Sequence, residues 1–225
     1  MVALIIPIIT ALFLLVSSQA LAGYGATLCK EKNFTCYVTK RGDSWAKLFP
    51  DSDQRNVAMR INRMNVKLHP GMKIALPNTE NWDLMSYSPF PTQIDPPGEK
   101  IIYVSKKSLA FGAYNANGTL QYWGPISSAK GYCPDLGKSC RTPSGTYAIQ
   151  YKQGAGCVSS KFPIGRGGAP MPYCMFFHGG FALHGSYEVP GYNDSHGCVR
   201  MFVDDAQWLN QEFTADEPHV RVVVY

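Results

Sequence analysis

The most reactive side chains of the sequence are concentrated in one short segment. His184, His196, Cys198 and Arg200 fall within seventeen positions and are interleaved with glycine. A thiol becomes a strong nucleophile only as its thiolate, so it needs a base or a cation nearby, and an imidazole is the usual base. The segment therefore predicts covalent catalysis by Cys198, with a histidine as its general base.

The residues around this thiol offer two further chemical functions. Gly197 has no side chain, so a backbone N–H beside the thiol can approach a reacting carbonyl and take part in an oxyanion site. Arg200 offers a planar guanidinium that matches a substrate carboxylate. His196 is two residues from the thiol, whereas His184 returns across the loop of residues 185–195.

Three stretches of the C-terminal half resemble the YkuD-type L,D-transpeptidase family. The most specific joins an upstream His-Gly pair to a Ser-His-Gly-Cys core: His184-Gly185 and Ser195-His196-Gly197-Cys198-Val199-Arg200-Met201. The other two are Arg141-Thr142-Pro143-Ser144-Gly145-Thr146 and Met171-Pro172-Tyr173. The resemblance covers about residues 100–225, and it includes secreted relatives of the enhanced-entry type.

The resemblance implies an enzyme that joins peptidoglycan stem peptides in two acyl-transfer steps. Cys198 would attack the third, diamino-acid residue of a donor tetrapeptide and release D-alanine, and an acceptor amine would then resolve the thioester as a 3→3 cross-link. By position, His184 would be the general base, oriented by Ser195 and His196. The amides of Gly197 and Cys198 would form the oxyanion hole. This chemistry requires neither a metal nor a cofactor.

Other residues are expected to contact the substrate, and other outcomes of the same chemistry stay open. The predicted substrate contacts are Arg200, Tyr173, Gly185 and Ser186. Water in place of the acceptor amine would give an L,D-carboxypeptidase, and a free D-amino acid would give exchange. A non-enzymatic cell-wall-binding protein is the main alternative of another class, but binding alone needs no unpaired thiol. A papain-like peptidase is disfavoured because no downstream His/Asn pair follows the cysteine.

The cysteine count supports a free thiol at position 198. The chain has seven cysteines, and an odd number leaves one unpaired in an oxidising compartment. Several pairings are open; joining nearest neighbours gives Cys29–Cys36, Cys133–Cys140 and Cys157–Cys174, which leaves Cys198 free. The cysteine spacing fits no zinc-finger pattern, so no metal site is predicted.

The N-terminus predicts export. Residues 1–22 form an apolar stretch that ends in Ala20-Leu21-Ala22, a small-x-small cleavage pattern typical of a signal peptide. Because no basic residue precedes the apolar run, an uncleaved anchor is the alternative. We expect a protein of the periplasm or cell envelope, or a secreted one, without membrane attachment once the leader is removed.

A small module and a linker precede the catalytic part. Within residues 23–77, the β-α-α-β pattern of 36–77 resembles a LysM module, which implies binding of N-acetylglucosamine-containing glycan. The matching residues are Tyr37-Val38-Thr39-Lys40-Arg41-Gly42-Asp43-Ser44, Asn65 and Leu68-His69-Pro70-Gly71-Met72-Lys73-Ile74-Ala75-Leu76-Pro77. A structural module without a glycan site is the alternative. Residues 78–99 are rich in proline and predict an extended linker.

Residues 100–225 predict a mainly β catalytic domain. Short strand patterns separated by Gly, Pro and Asn recur from Ile101 to Phe181, one amphipathic helix follows over 204–213, and a last strand covers 221–225. One helix among about seven strands favours a β-sandwich or barrel, and the resemblance implies that it is YkuD-like.

The composition excludes several classes of protein. The chain has 225 residues, of which 45% are hydrophobic and 16% charged, so it can build a core and is not disordered. Beyond the N-terminus it has no apolar run long enough for a membrane span. The net charge of +5 is spread along the chain instead of forming the basic block typical of nucleic-acid binding. Nucleic acid is therefore not an expected partner; the two resemblances imply peptidoglycan stem peptides and glycan as the partners.

Overall fold

The computed structural model describes residues 23–80, 82–163, 165, 167–217 and 219–225. The predicted leader, residues 1–22, lies outside the described residues. Within the part of the chain that is described, none of the helices combines the length and the apolar character needed to cross a bilayer.

The N-terminal module has a two-stranded sheet packed against short helices. Its elements are α1 (Tyr24–Leu28), β1 (Phe34–Val38), α2 (Trp45–Leu48), α3 (Ser52–Ile61) and β2 (Lys73–Pro77). The strands pair antiparallel, and the helices begin where side chains cap them: Ser44 accepts from the Lys47 N–H, and Asp51 from the Asp53 and Gln54 N–H groups. Trp45 is buried and donates its indole N–H to the Val66 carbonyl at 2.9 Å. This tryptophan therefore belongs to the core of the module.

The catalytic part is built on a nine-stranded sheet, which confirms the mainly β prediction. The strand order is β8-β13-β3-β4-β5-β12-β11-β10-β9. Their bounds are β3 (Ile101–Ser105), β4 (Ala110–Tyr114), β5 (Leu120–Ser127), β8 (Gly145–Ala148), β9 (Tyr151–Lys152), β10 (Met175–His178), β11 (Phe181–Gly185), β12 (Val199–Met201) and β13 (Arg221–Val224). Strands β6 (Gly131–Cys133) and β7 (Lys138–Cys140) form a separate hairpin.

The main core of the catalytic part lies between this sheet and one C-terminal helix. Side chains from both ends of the sheet, including Val104, Met175 and Val222, are buried together with Leu209. The predicted helix over 204–213 is an α-helix only in α4 (Val203–Trp208) and continues as a π-turn over Leu209–Phe213. The wider turn places Leu209 and Phe213 in the core.

The proline-rich segment 78–99 packs against the sheet instead of standing free as an extended linker. It contains a 3-10 turn, Leu84–Tyr87, whose first carbonyl accepts a hydrogen bond from the indole of Trp123 at 2.9 Å. Phe90 is buried in the same cluster as Trp123. The segment packs instead of forming the predicted linker because it carries apolar side chains that the outer face of the sheet can cover.

A buried ion pair joins the module to the catalytic part. Arg60 of α3 is 1% exposed, and its guanidinium lies 2.6 Å from Asp205 and 2.6 Å from Asp204, both of α4. The Tyr122 hydroxyl donates to the other Asp205 oxygen at 2.8 Å. Burial is the largest single effect and works against the charge of Arg60, but Asp205, Tyr122 and Asp204 together outweigh it and raise the pKa of the guanidinium above its ordinary value.

Candidate active site

Two parallel neighbouring strands bring the reactive side chains together. Strands β11 and β12 pair so that His184 lies opposite Arg200. Cys198 precedes Arg200 by two residues, and alternate residues of an extended chain point to the same face. All three line one open cavity of about 1050 Å³. The three residues that were predicted to act together are therefore placed together by the pairing of β11 with β12.

His184 is held as a neutral base. Its side chain is buried, and Nδ1 lies 2.9 Å from the Gly185 carbonyl oxygen. A carbonyl only accepts, so Nδ1 carries the proton and the lone pair is on Nε2. Burial lowers the pKa of His184 to about 4, and the Arg200 charge adds to the lowering. At neutral pH the imidazole is thus ready to accept a proton.

Cys198 is a free thiol in a partly buried position. Of the seven cysteines, all within the described residues, it alone is unpaired, and its Sγ lies 3.7 Å from the Gly180 carbonyl as a donor. Burial raises the pKa of Cys198, against the lowering effects of the Ala182 backbone N–H and the charges of Arg200 and Lys161. Cys198 is therefore a protonated thiol that shares its cavity with a neutral imidazole.

The three nearest-neighbour disulfides are confirmed. Cys29–Cys36 lies in the module, and Cys133–Cys140 and Cys157–Cys174 close loops beside the cavity. Cys133, Asp135 and His196 place donor atoms within 4.8 Å of one another. Because the Cys133 sulfur is bonded in the disulfide, it is lost as a thiolate ligand and only two donors remain, too few for a structural zinc site.

Ser195 organises the turn that carries the thiol. Its hydroxyl donates to the Cys198 carbonyl at 2.5 Å and accepts from the Gly197 N–H at 3.0 Å. The Gly197 amide, predicted to bind an oxyanion, would have to leave this hydroxyl first. A Cβ at Gly197 would lie 2.6 Å from the Phe181 ring, so the close approach of this turn to the Phe181 side chain of β11 requires glycine.

His196 has partners other than the expected one. Its Nε2 lies 2.7 Å from an Asp135 carboxylate oxygen, and its ring stacks on Phe162 at 4.5 Å between centroids. Asp135 and Phe162 belong to the two disulfide-closed loops beside the cavity. The structure thus uses His196 to connect these loops, whereas the sequence predicted that it would orient His184. Neither partner could be recognised from the sequence, since both are ordinary loop residues.

The predicted substrate contacts divide into two groups. Arg200, Gly185 and Ser186 line the cavity, and the Arg200 guanidinium donates to the Glu188 carbonyl at 3.3 Å. Tyr173 packs against the main core instead, and Met171 and Pro172 form the cavity wall at this place. Three further cations of the wall were not predicted to contact the substrate: Lys138, Arg141 and Lys161.

Comparison with known proteins identifies the family. Residues 99–223, more than half of the chain, match the family model of the YkuD L,D-transpeptidase catalytic domain. The structure is similar to that of an L,D-transpeptidase from Xylanimonas cellulosilytica (TM-score 0.55, 21% identity, 77% of this chain and 80% of that one covered). It is also similar to an L,D-transpeptidase from Stackebrandtia nassauensis (TM-score 0.50, 19% identity, 77% of each chain covered). At these identities the structural likeness shows the fold.

The search of curated proteins gave no match. Because the family match begins at residue 99, the LysM-like and enhanced-entry resemblances stay predictions.

Proposed function

The chain belongs to the YkuD family of L,D-transpeptidase catalytic domains, and we propose that Cys198 is the nucleophile with which it transfers acyl groups between peptidoglycan stem peptides. One observation carries this proposal: the unpaired thiol of Cys198 and the neutral, buried His184 line the same cavity. A thiol nucleophile with an imidazole base is the pattern that acyl transfer requires.

In the first step the thiol becomes acylated. Cys198 Sγ attacks the carbonyl of the diamino-acid residue at position three of the donor stem, while its proton passes to His184 Nε2. The carbon–nitrogen bond to the terminal D-alanine then breaks, and the imidazolium returns the proton to the leaving amine. A thioester and free D-alanine result.

In the second step an acceptor amine resolves the thioester. The amine of a second stem attacks the thioester carbonyl, His184 takes the proton of the amine, and the departing thiolate recovers that proton. The product is a 3→3 cross-link, and the enzyme is regenerated. Because the thioester keeps the energy of the cleaved amide bond, the reaction needs no nucleotide outside the cytoplasm.

Cationic side chains suit the cavity to this substrate. Arg200, Arg141 and Lys161 line it, and stem peptides carry carboxylates. A guanidinium binds a carboxylate through two parallel hydrogen bonds. We assign Arg200 to an anionic group of the stem, because it faces the cavity beside the thiol.

The remaining parts of the proposal concern the place of action. Three disulfides are typical of a protein of an oxidising compartment, which supports export by the predicted leader to the periplasm or cell envelope. The N-terminal module would keep the catalytic part on its polymer by binding glycan.

The deciding experiment is a product assay with purified protein and tetrapeptide-bearing muropeptides. We expect 3→3 dimers and free D-alanine by mass spectrometry, and neither product with Cys198→Ala. Thiol titration of the native proteins should read one group in the wild type and none in Cys198→Ala. Monomeric tripeptide without dimers would assign the enzyme as an L,D-carboxypeptidase, and full activity in Cys198→Ala would refute the proposal.

A further inference from the structure

The N-terminal module contacts one wall of the catalytic cavity directly. Asn65, which follows α3, accepts the Val189 N–H at 2.9 Å and donates its side-chain amide to the Ser186 carbonyl at 2.8 Å. Its own backbone N–H donates to the Val189 carbonyl at 2.9 Å. A single residue of the module thus binds both ends of the turn formed by residues 186–189.

This turn is part of the active site. Tyr187 and Glu188 line the cavity, and the Glu188 carbonyl accepts the Arg200 guanidinium. The residue before the turn, Gly185, supplies the carbonyl that holds His184 Nδ1. A displacement of the turn would therefore change the cavity wall and the orientation of the base together.

The turn depends on the module for much of its support. Tyr187 is 77% exposed. The next residues are also held by the module, because Pro190 forms a bridge with Met64 and the Gly191 carbonyl accepts the Tyr24 N–H at 2.8 Å. Within the turn, the Ser186 hydroxyl accepts the Glu188 N–H at 3.0 Å.

The module is itself a firm support. The Arg60–Asp205 pair fixes α3 to α4. Arg63, which is also buried, donates to the Ser108 carbonyl at 3.1 Å and lies 4.5 Å from the Trp123 ring centroid. The turn is thus connected through Asn65 to an element that is anchored in the catalytic part.

We propose that Asn65 is a positioning residue for the reaction of Cys198, an inference that rests on the proposed transpeptidation. By holding the 186–189 turn it fixes the wall that receives the donor stem and the carbonyl that orients His184. Misplacement by about 1 Å in such a shell costs up to about 100-fold in rate.

The test compares Asn65 of the module with Asn78, the residue that directly follows the module. Asn65→Ala should lower kcat/KM for the tetrapeptide donor at least about tenfold, with a higher KM from the displaced wall and a lower kcat from the misoriented His184, and should speed amide hydrogen exchange in residues 186–191. Asn78→Ala is the control, because Asn78 also makes one accepting and one donating side-chain bond, to Thr35 and Lys32, but both of these partners lie within the module. We expect the control to keep wild-type kinetics.

A second variant keeps the test decisive if Asn65→Ala folds poorly. Asn65→Asp retains an acceptor for the Val189 N–H, but its ionised carboxylate repels the Ser186 carbonyl, whereas the protonated form can donate to it. Its kcat/KM, divided by the wild-type value at the same pH, should therefore recover as the pH falls.

The outcomes separate this inference from the proposed function. An active wild type whose Asn65→Ala and Asn65→Asp variants match Asn78→Ala in kcat/KM would overturn the positioning role alone. A wild type that forms no product from the donor would overturn the proposed function and the inference with it.

Discussion

At the scale of single residues, the site combines a protonated thiol with a neutral imidazole. The pKa of Cys198 is raised and that of His184 is lowered to about 4, in both cases chiefly by burial. A proton moves spontaneously from thiol to imidazole only if the imidazole has the higher pKa, and here the order is the reverse. In the proposed reaction, the thiol would thus lose its proton during attack on the substrate instead of being stored as a thiolate.

This order of pKa values predicts how the free enzyme reacts with iodoacetamide. Because alkylation requires the thiolate, the rate at Cys198 should be low at pH 7 and should rise with pH to a half-maximum above the value of about 8.5 for an ordinary thiol. The measurement is the pseudo-first-order alkylation rate from pH 5 to 10, with glutathione as the reference thiol. A rate already at its plateau at pH 6 would show a thiolate–imidazolium pair and contradict the neutral pair.

At the scale of elements, the short strand β12 and the helix α4 determine what the site contains. Strand β12 runs parallel to β11 and sets Cys198 and Arg200 beside His184. Helix α4 follows β12 directly and carries Asp205, whose carboxylate forms an ion pair with Arg60 of the module. The same stretch of chain therefore holds the free thiol at one end and the attachment of the module at the other.

This arrangement predicts a large effect of removing Arg60. Arg60→Met leaves Asp205 buried without its cation, which costs about 3–5 kcal/mol of unfolding free energy. Arg55→Met on the same helix removes only bonds to the Phe49 and Pro50 carbonyls and should cost no more than about 1 kcal/mol. Urea unfolding of both variants measures the difference.

A compensated variant checks the cause. In Arg60→Met combined with Asp205→Leu, no buried carboxylate is left without its cation, and the Asp204 carboxylate that also loses Arg60 is mostly exposed to solvent. Part of the lost stability should therefore return, the remaining loss including the Tyr122 hydroxyl that no longer has its acceptor. Equal losses in Arg60→Met and Arg55→Met would mean that the buried pair does not anchor the module.

At the scale of the whole molecule, the proposed activities assign the module and the catalytic domain to the two components of one polymer. The catalytic cavity is proposed to act on the peptide stems, and the module is predicted to bind the glycan to which they are attached. Binding through the module would raise the local concentration of stems at the cavity. The packing of Asn65 and Arg60 against the catalytic part gives the module a second, structural role.

The glycan prediction is tested with the full chain carrying Cys198→Ala, so that acylation does not retain the protein. We expect it to sediment with insoluble peptidoglycan and to be released by soluble N-acetylglucosamine oligomers. Since a net charge of +5 also favours loose binding to anionic polymers, the assay is repeated at high salt, where such binding weakens. Protein that stays in the supernatant would leave the module with its structural role alone.

Features that depend on residues close together in the sequence were mostly predicted correctly. The two disulfides Cys29–Cys36 and Cys133–Cys140 each join residues 7 positions apart, and Cys157–Cys174 residues 17 apart, so neighbouring cysteines were the natural partners. Most strands were recognised by their alternating pattern and turn residues. Strand β12 was missed because three residues are too short to show a period. The α-to-π change at Leu209 was missed because both kinds of turn keep an apolar stripe.

Contacts between residues far apart in the sequence could not be predicted. Arg60 and Asp205 are 145 residues apart, and Asn65 and Ser186 are 121 apart. Each is an ordinary polar residue in its own segment, and only the packing of the module on the sheet makes them partners. For the same reason Asp135 and Phe162 gave no sign that they would hold His196.

The identity of the reactive groups was therefore determined by the sequence. A thiol, two imidazoles and a guanidinium lie within seventeen positions, and these residue types indicate the chemistry whatever the fold is. Their working state was decided by the tertiary structure. The protonation of Cys198 and His184 depends on burial and on the Gly185 carbonyl, and the wall beside them depends on Asn65 from a distant segment. Burial and long-range hydrogen bonds are properties of the folded chain, so no reading of neighbouring residues contains them.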